Sequence, residues 1–220
     1  MKQAYGLAIP ESLAEIVQPS ATALIVYDMQ TGILRQMPQG QEVLQRVLRL
    51  LDLARSAGLR IIFMRHMSLP KRLGGVFQLR QMLAWQRLAS VDEANPWFLR
   101  DSPGFALAPE LGVREDEAIL DKITMSAFEG TPLAIALRDV GAKSFVIAGI
   151  ATEIGIDPTV RHGADLGFIP VVVEDACGAG HAEAAARSLD NIRFMGDAVI
   201  CTTDALAAAW GATEAHSLER

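Results

Sequence analysis

Short apolar runs alternate along this chain with longer stretches in which apolar residues recur every three or four positions. Six runs bounded by turn residues, at 23–28, 59–65, 118–122, 144–148, 169–174 and 198–202, read as strands buried on both faces. Between the first two, Val43, Leu44, Val47, Leu48, Leu51 and Ala54 keep helical spacing until Gly58 stops the run. A later helix carries its own boundaries: Thr131 as N-cap, Pro132 at the first helical position, a Leu133/Ala136/Leu137/Val140 stripe and Gly141 as terminator. Segments 152–166 and 182–194 are also predicted helical, the first of them for most of its length. Strands alternating with amphipathic helices predict an α/β fold: a doubly wound, mainly parallel, six-stranded sheet with helices on both faces and right-handed crossovers.

The pattern breaks down over 66–117, between the second and third strands. This stretch holds Trp85, Trp97, Phe77, Phe98 and Phe105, with turn signals at Leu69-Pro70, Gly74-Gly75 and Ser102-Pro103-Gly104. Its middle, 77–88, predicts a helix with Leu79, Met82, Leu83 and Gln86 on one side. So long an insertion shapes a site or an interface, or else packs its own aromatics into the core.

Composition narrows the function classes. The 220 residues are 50% apolar and fit one domain, 1–220, with a large core. A net charge of −6 is spread along the chain without a basic stripe, so no nucleic-acid partner is expected. No apolar run reaches membrane-spanning length and no leader pattern is present, so neither membrane nor export is expected. Cys177 and Cys201 form no disulfide framework and no metal-ligand spacing, which fits a reducing cytoplasm. The polar tail, 212–220, is expected to fray.

The candidate chemistry sits at strand ends. Asp28 follows an apolar strand, where a carboxylate is costly unless paired, and Lys122 is the natural partner at the end of a strand expected to neighbour it. The pair either performs chemistry or merely fixes strand order. The stretch 145–156 reads as strand, tight turn and first helical turn, and carries Ile150, Ala151, Thr152, Glu153 and Gly155. In a parallel sheet such ends lie along the edge where open α/β folds place ligands. Ile150, Ala151 and Thr152 are candidate substrate-binding residues; Thr152 is also read as a helix cap and Glu153 as a favourable charge on the helix dipole. Gly155 allows close approach of backbone to a ligand, or marks a catalyst that needs no covalent intermediate.

Asp28-Met-Gln, Lys122-Ile-Thr-Met-Ser-Ala-Phe128 and Gly149-Ile-Ala-Thr152 together resemble the isochorismatase-like hydrolases, over 22–203. That superfamily includes nicotinamidases, carbamoylsarcosine amidohydrolases and isochorismatases, and most members carry a nucleophilic cysteine where this chain has Gly155. The resemblance implies a cis peptide at Ile150–Ala151 that turns the amides of Ala151 and residue 155 into an anion-binding pair. It also implies Asp28 as general acid or base and Lys122 as its electrostatic partner. Isochorismatases of the siderophore and phenazine pathways keep the Asp and Lys beside a glycine, and there the Asp acts as general acid toward a vinyl ether. The expected function is therefore hydrolysis of a small polar, carboxylated substrate without a cysteine intermediate. Amide or carbamoyl hydrolysis by an Asp-activated water, and a catalytically silent binding protein, are the alternatives. No cofactor is expected, and relatives that close their pockets with a neighbouring subunit imply a homodimer or higher even oligomer.

Phe128, Trp85 and Trp97 are candidate pocket residues, and Gln78 and Arg80 are candidates to meet a substrate carboxylate. Cys177 is rejected as a substitute nucleophile because its turn lies one strand from the expected anion donors. By the family's geometry, only a cysteine installed at 155 would stand beside Asp28 and Lys122. Gly178-Ala-Gly180-His181-Ala-Glu183 lacks the third glycine of a dinucleotide fingerprint and reads as a turn into a helix. Met64-Arg-His66 sits where some relatives have metal ligands, but no histidine follows until His162, so His66 is read as a pocket or core residue and no metal site is expected.

Overall fold

The computed structural model describes residues 1–217. A short antiparallel hairpin opens the chain, β1 (Lys2–Ala4) and β2 (Leu7–Ile9), which the apolar pattern had not predicted. Then come α1 (Leu13–Ile16), β3 (Thr22–Tyr27), α2 (Thr31–Leu34), α3 (Gly40–Ser56), β4 (Arg60–His66) and α4 (Val76–Gln86). The second half runs β5 (Ala118–Lys122), α5 (Leu133–Asp139), β6 (Ser144–Ile150), α6 (Asp157–Asp165), β7 (Ile169–Gly178), α7 (Ala182–Met195), β8 (Val199–Cys201) and α8 (Thr203–Ser217). Helix α8 continues into the tail expected to fray, and the rest of that expectation lies outside the described residues.

The main sheet has six strands in the order β5-β4-β3-β6-β7-β8, every pair parallel. Chain order therefore reverses between β3 and β6, where neighbouring crossovers pass to opposite faces and leave a crevice beyond the strand ends. Every residue of β3 and β6 is buried, which explains their unbroken apolar runs. Leu24 and Val26 pack with α3 residues such as Val47 and Leu51 on one face. Ile25 and Tyr27 pack with Phe128, Leu137, Phe145 and Val160 on the other.

Three boundaries differ from the pattern-based reading. Strand β7 runs on to Gly178, because Cys177 and Gly178 pair with Gly149 and Ile150 after a bulge. The turn at Thr152–Ile156 is a wide π-type turn rather than α-helix. Pro132 occupies the cap of α5, although the Thr131 hydroxyl still accepts the Leu133 N–H at 3.2 Å.

Within the insertion, α4 follows the predicted helix, ends at Arg87 in a left-handed conformation (φ 54°), and is half-buried along the expected side. The insertion returns to the sheet edge through buried Gln30, whose Nε2 donates to the carbonyls of His66 (3.0 Å) and Phe105 (2.8 Å) while its Oε1 accepts the His66 N–H (2.7 Å). Gly32 lies so close to Gly104 that a Cβ would fall 2.8 Å from its carbonyl oxygen. Phe98 of the same insertion packs edge-on against His66 at the end of β4, with ring centroids 5.9 Å apart.

Candidate active site

Asp28 is the first residue beyond β3, and its backbone turns left-handed there (φ 49°) while its N–H donates to the Met64 carbonyl at 3.1 Å. Asp tolerates this region better than most residues. Lys122 Nζ donates to Asp28 Oδ2 at 2.7 Å, and both side chains are buried. Asp28 and Lys122 thus meet as predicted, but not as strand neighbours. β4 lies between them, with His66 paired to Lys122 in register, so the amine reaches across the end of β4.

The other carboxylate oxygen, Oδ1, is buried without a hydrogen-bond partner. Burial raises the Asp28 carboxyl to about 6, while the charge and hydrogen bond of Lys122, and after them the nearby His66 backbone N–H, pull it down. Burial likewise lowers Lys122, opposed by Asp28. An oxygen that no donor serves favours the protonated acid, so this carboxyl can exchange a proton near neutral pH.

Asp28 opens into a cavity of about 590 Å3 at the β3/β6 crevice, a volume suited to a small ligand. Trp85, Trp97, Phe98, Met37, Met125 and Ile33 supply apolar wall, and Gln36, His66, Arg87, Glu153 and His181 supply polar groups. His66 is held neutral, since burial and then the Lys122 charge lower it to about 3. Among the described residues no cluster of His, Cys, Asp or Glu is arranged to hold a metal ion.

The expected cis peptide is present at Ile150–Ala151, and both residues line the cavity. The Gly155 amide, expected as a second anion donor, instead donates to Ala151 O at 3.0 Å. Nor does Gly155 face open space. A Cβ there would fall onto the Oη, Cε1 and Cζ atoms of Tyr27, whose hydroxyl donates to the Met125 carbonyl. Lys122 Nζ lies 4.2 Å from the centroid of the same ring. Burial, and then the Asp28 charge, push the phenol well above its ordinary value, so it remains a neutral donor. The glycine is thus explained by a tyrosine filling its side-chain volume, and a cysteine at 155 has no room beside Asp28.

The remaining candidates divide. Trp85 and Trp97 line the cavity as expected. Gln78 lines a small adjoining pocket with Trp85 and Trp97, and its Oε1 has no partner. Arg80 is exposed and lines neither space; Arg87, at the end of the same helix, is the cavity's guanidinium. Phe128 is a core residue stacked on Phe168, with ring centroids 5.8 Å apart. Thr152 is buried and, unlike Ile150 and Ala151, does not line the cavity; nor does it cap a helix, because its hydroxyl donates to the Gly178 carbonyl at 3.0 Å. Glu153 does more than complement a dipole: its Oε1 accepts the His181 N–H at 2.6 Å across the β7–α7 turn. Cys177 stays outside this cavity, and burial pushes its thiol up.

The Asp28–Lys122 pair thus stands at the edge of the sheet where open α/β folds bind their ligands. The chain belongs to the isochorismatase family, whose domain matches residues 22–204. It is 30% identical over 174 residues to YecD of Escherichia coli, an uncharacterized isochorismatase family protein, covering 78% of this chain and 87% of that one. It is 30% identical to the ureidoacrylate amidohydrolase RutB of Klebsiella pneumoniae, over 86% of each chain. The structure of a cysteine hydrolase from Pseudomonas syringae superposes with a TM-score of 0.75 over 90% of this chain and 95% of its own, at 24% identity. Members of this family are hydrolases, and this chain is read as one.

Proposed function

We propose that this hydrolase works without a covalent intermediate and that Asp28 is its general acid, acting on the vinyl ether of a small carboxylated molecule. The observation that carries the reading is Asp28 Oδ1: a buried, unpartnered oxygen of a residue that lines the cavity, in a carboxyl raised to about 6. In this reaction the carboxyl protonates the terminal vinylic carbon, and water adds to the oxygen-stabilised cation. The hemiketal then collapses to a ketone and an alcohol, and the proton released from the water returns to the carboxylate. Tyr27 supports the reading by filling the space where a nucleophilic side chain at 155 would stand. Lys122 keeps Asp28 Oδ2 engaged, leaving Oδ1 to carry the proton.

The ureidoacrylate amidohydrolase relatives favour a second reading, in which Asp28 as carboxylate activates water against an amide or ureido carbon. A panel of isochorismate, N-carbamoyl acids and small amides separates the two on purified protein. Turnover of isochorismate alone supports the first reading and turnover of the nitrogen compounds alone the second. Binding without turnover across the panel would make the protein a silent binder.

Assembly belongs to the same proposal. Leu73, Val76, Phe77 and Trp85 of the insertion are exposed, Val76 by 79% and Phe77 by 68%, and so concentrated a patch is costly on a monomer. A homodimer or higher even oligomer covering this face is expected from light scattering at micromolar concentration; a monomer would remove the claim. Among the described residues no helix is long and apolar enough to cross a membrane.

A further inference from the structure

Asp28 is not the only cavity-lining residue with an unpartnered carboxylate oxygen. Glu153 lines the same wall, and its Oε2 is also buried without a partner. Its Oε1 is fixed by the His181 N–H at 2.6 Å, and Gly180 packs so closely that a Cβ there would fall 2.8 Å from that oxygen. The head of the side chain is therefore held, with one oxygen spent on the β7–α7 turn and one unspent. A buried acceptor left empty costs free energy, so a held one on a ligand cavity is suited to receive a donor.

The cavity also has a complementary group. Arg87 lines it; its backbone N–H donates to the Leu83 carbonyl, but among the described residues its guanidinium makes no hydrogen bond or ion pair. A guanidinium free of partners is matched by a carboxylate.

We propose that Glu153 is a substrate-binding residue whose Oε2 takes an N–H or O–H donor of the ligand, while Arg87 takes the ligand's carboxylate. The substrate class is then a small acid with a hydrogen-bond donor at the end away from its carboxylate. This rests on the cavity being the substrate site, and not on which bond is cleaved there.

Glu153→Gln tests it without removing the turn contact, because the amide oxygen still accepts the His181 N–H while an NH2 replaces the free acceptor. Two probes differ only at the far terminus: N-carbamoyl-β-alanine ends in NH2, and N-acetyl-β-alanine ends in CH3. Calorimetric titrations in the Asp28→Asn background read binding apart from turnover. With Glu153 intact, the carbamoyl compound is expected to bind roughly tenfold more tightly, the worth of a hydrogen bond to a charged group. Glu153→Gln is expected to abolish that preference while leaving the melting temperature within a few degrees. A purely structural Glu153 would leave the preference untouched. Equal affinity with Glu153 intact, whether both probes bind or neither does, overturns the assignment, as does a preference that survives Glu153→Gln. Turnover surviving in Asp28→Asn would sink the general-acid reading instead and leave this test standing.

Discussion

Asp28→Asn is expected to lower kcat by roughly 10^2- to 10^4-fold on any confirmed substrate, the range contributed by a positioned acid or base. The protein is expected to stay folded. Asparagine has nearly the same shape, and its oxygen can accept from Lys122 Nζ as Asp28 Oδ2 does at 2.7 Å. Burial already lowers Lys122, and the Asp28 charge is what opposes it. Once that charge is gone, the amine can shed its proton instead of standing as an uncompensated buried cation. The cost is then about 1–3 kcal/mol, below what a stranded buried charge would impose. Activity assays paired with thermal melts check both halves: wild-type turnover in a folded variant removes Asp28 from the chemistry.

Gly155→Cys has the second largest expected effect, and it falls on stability. Sequence resemblance places a sulfur at 155 beside Asp28 and Lys122, but Tyr27 occupies that volume. Tyr27 is buried, and its hydroxyl is tied to Met125, so its ring cannot swing away cheaply. Overpacking of this kind costs about 2–3 kcal/mol. The single variant should melt well below wild type, and its thiol should resist iodoacetamide in the native state. Tyr27→Ile combined with Gly155→Cys opens the space, and should recover part of the stability and expose residue 155 to alkylation. Wild type should keep its activity after the same treatment, since burial pushes the thiol of Cys177 up and that of Cys201 to about 12. A single variant as stable as wild type and as readily alkylated as the double would show that Tyr27 does not block position 155.

These expectations mark where the sequence was legible. Strands of the central sheet announce themselves as apolar runs because both faces are buried, and Asp28 stands out as the charge that ends one. Lys122 is legible as its partner but not as lying one strand further away, because strand order is a property of the crossovers, and nothing in the run 118–122 says that β4 intervenes. Tyr27 looked like one more apolar residue of its strand, and only the fold brings its ring against Gly155, far along the chain. Glu153 was hidden in the same way, because its meaning depends on a turn 28 residues later. Residue type alone does not separate Arg80 from Arg87, because the insertion lacks a clean period; in the structure it is Arg87, at the left-handed end of α4, that lines the cavity. The Tyr27–Gly155 complementarity had one readable trace, an aromatic in an otherwise aliphatic strand next to the key Asp.

The dependence of kcat/KM on pH for the wild-type protein tests the central claim most directly, because it reports the essential group in the free enzyme. With Asp28 raised to about 6, its acid form predominates below that value and falls tenfold per pH unit above it. General-acid catalysis therefore predicts a plateau at low pH and a decline as pH rises through about 6, with that limb absent from whatever activity Asp28→Asn retains. A rate that instead climbs through pH 6, or one that ignores it, would contradict the assignment of Asp28 as the acid.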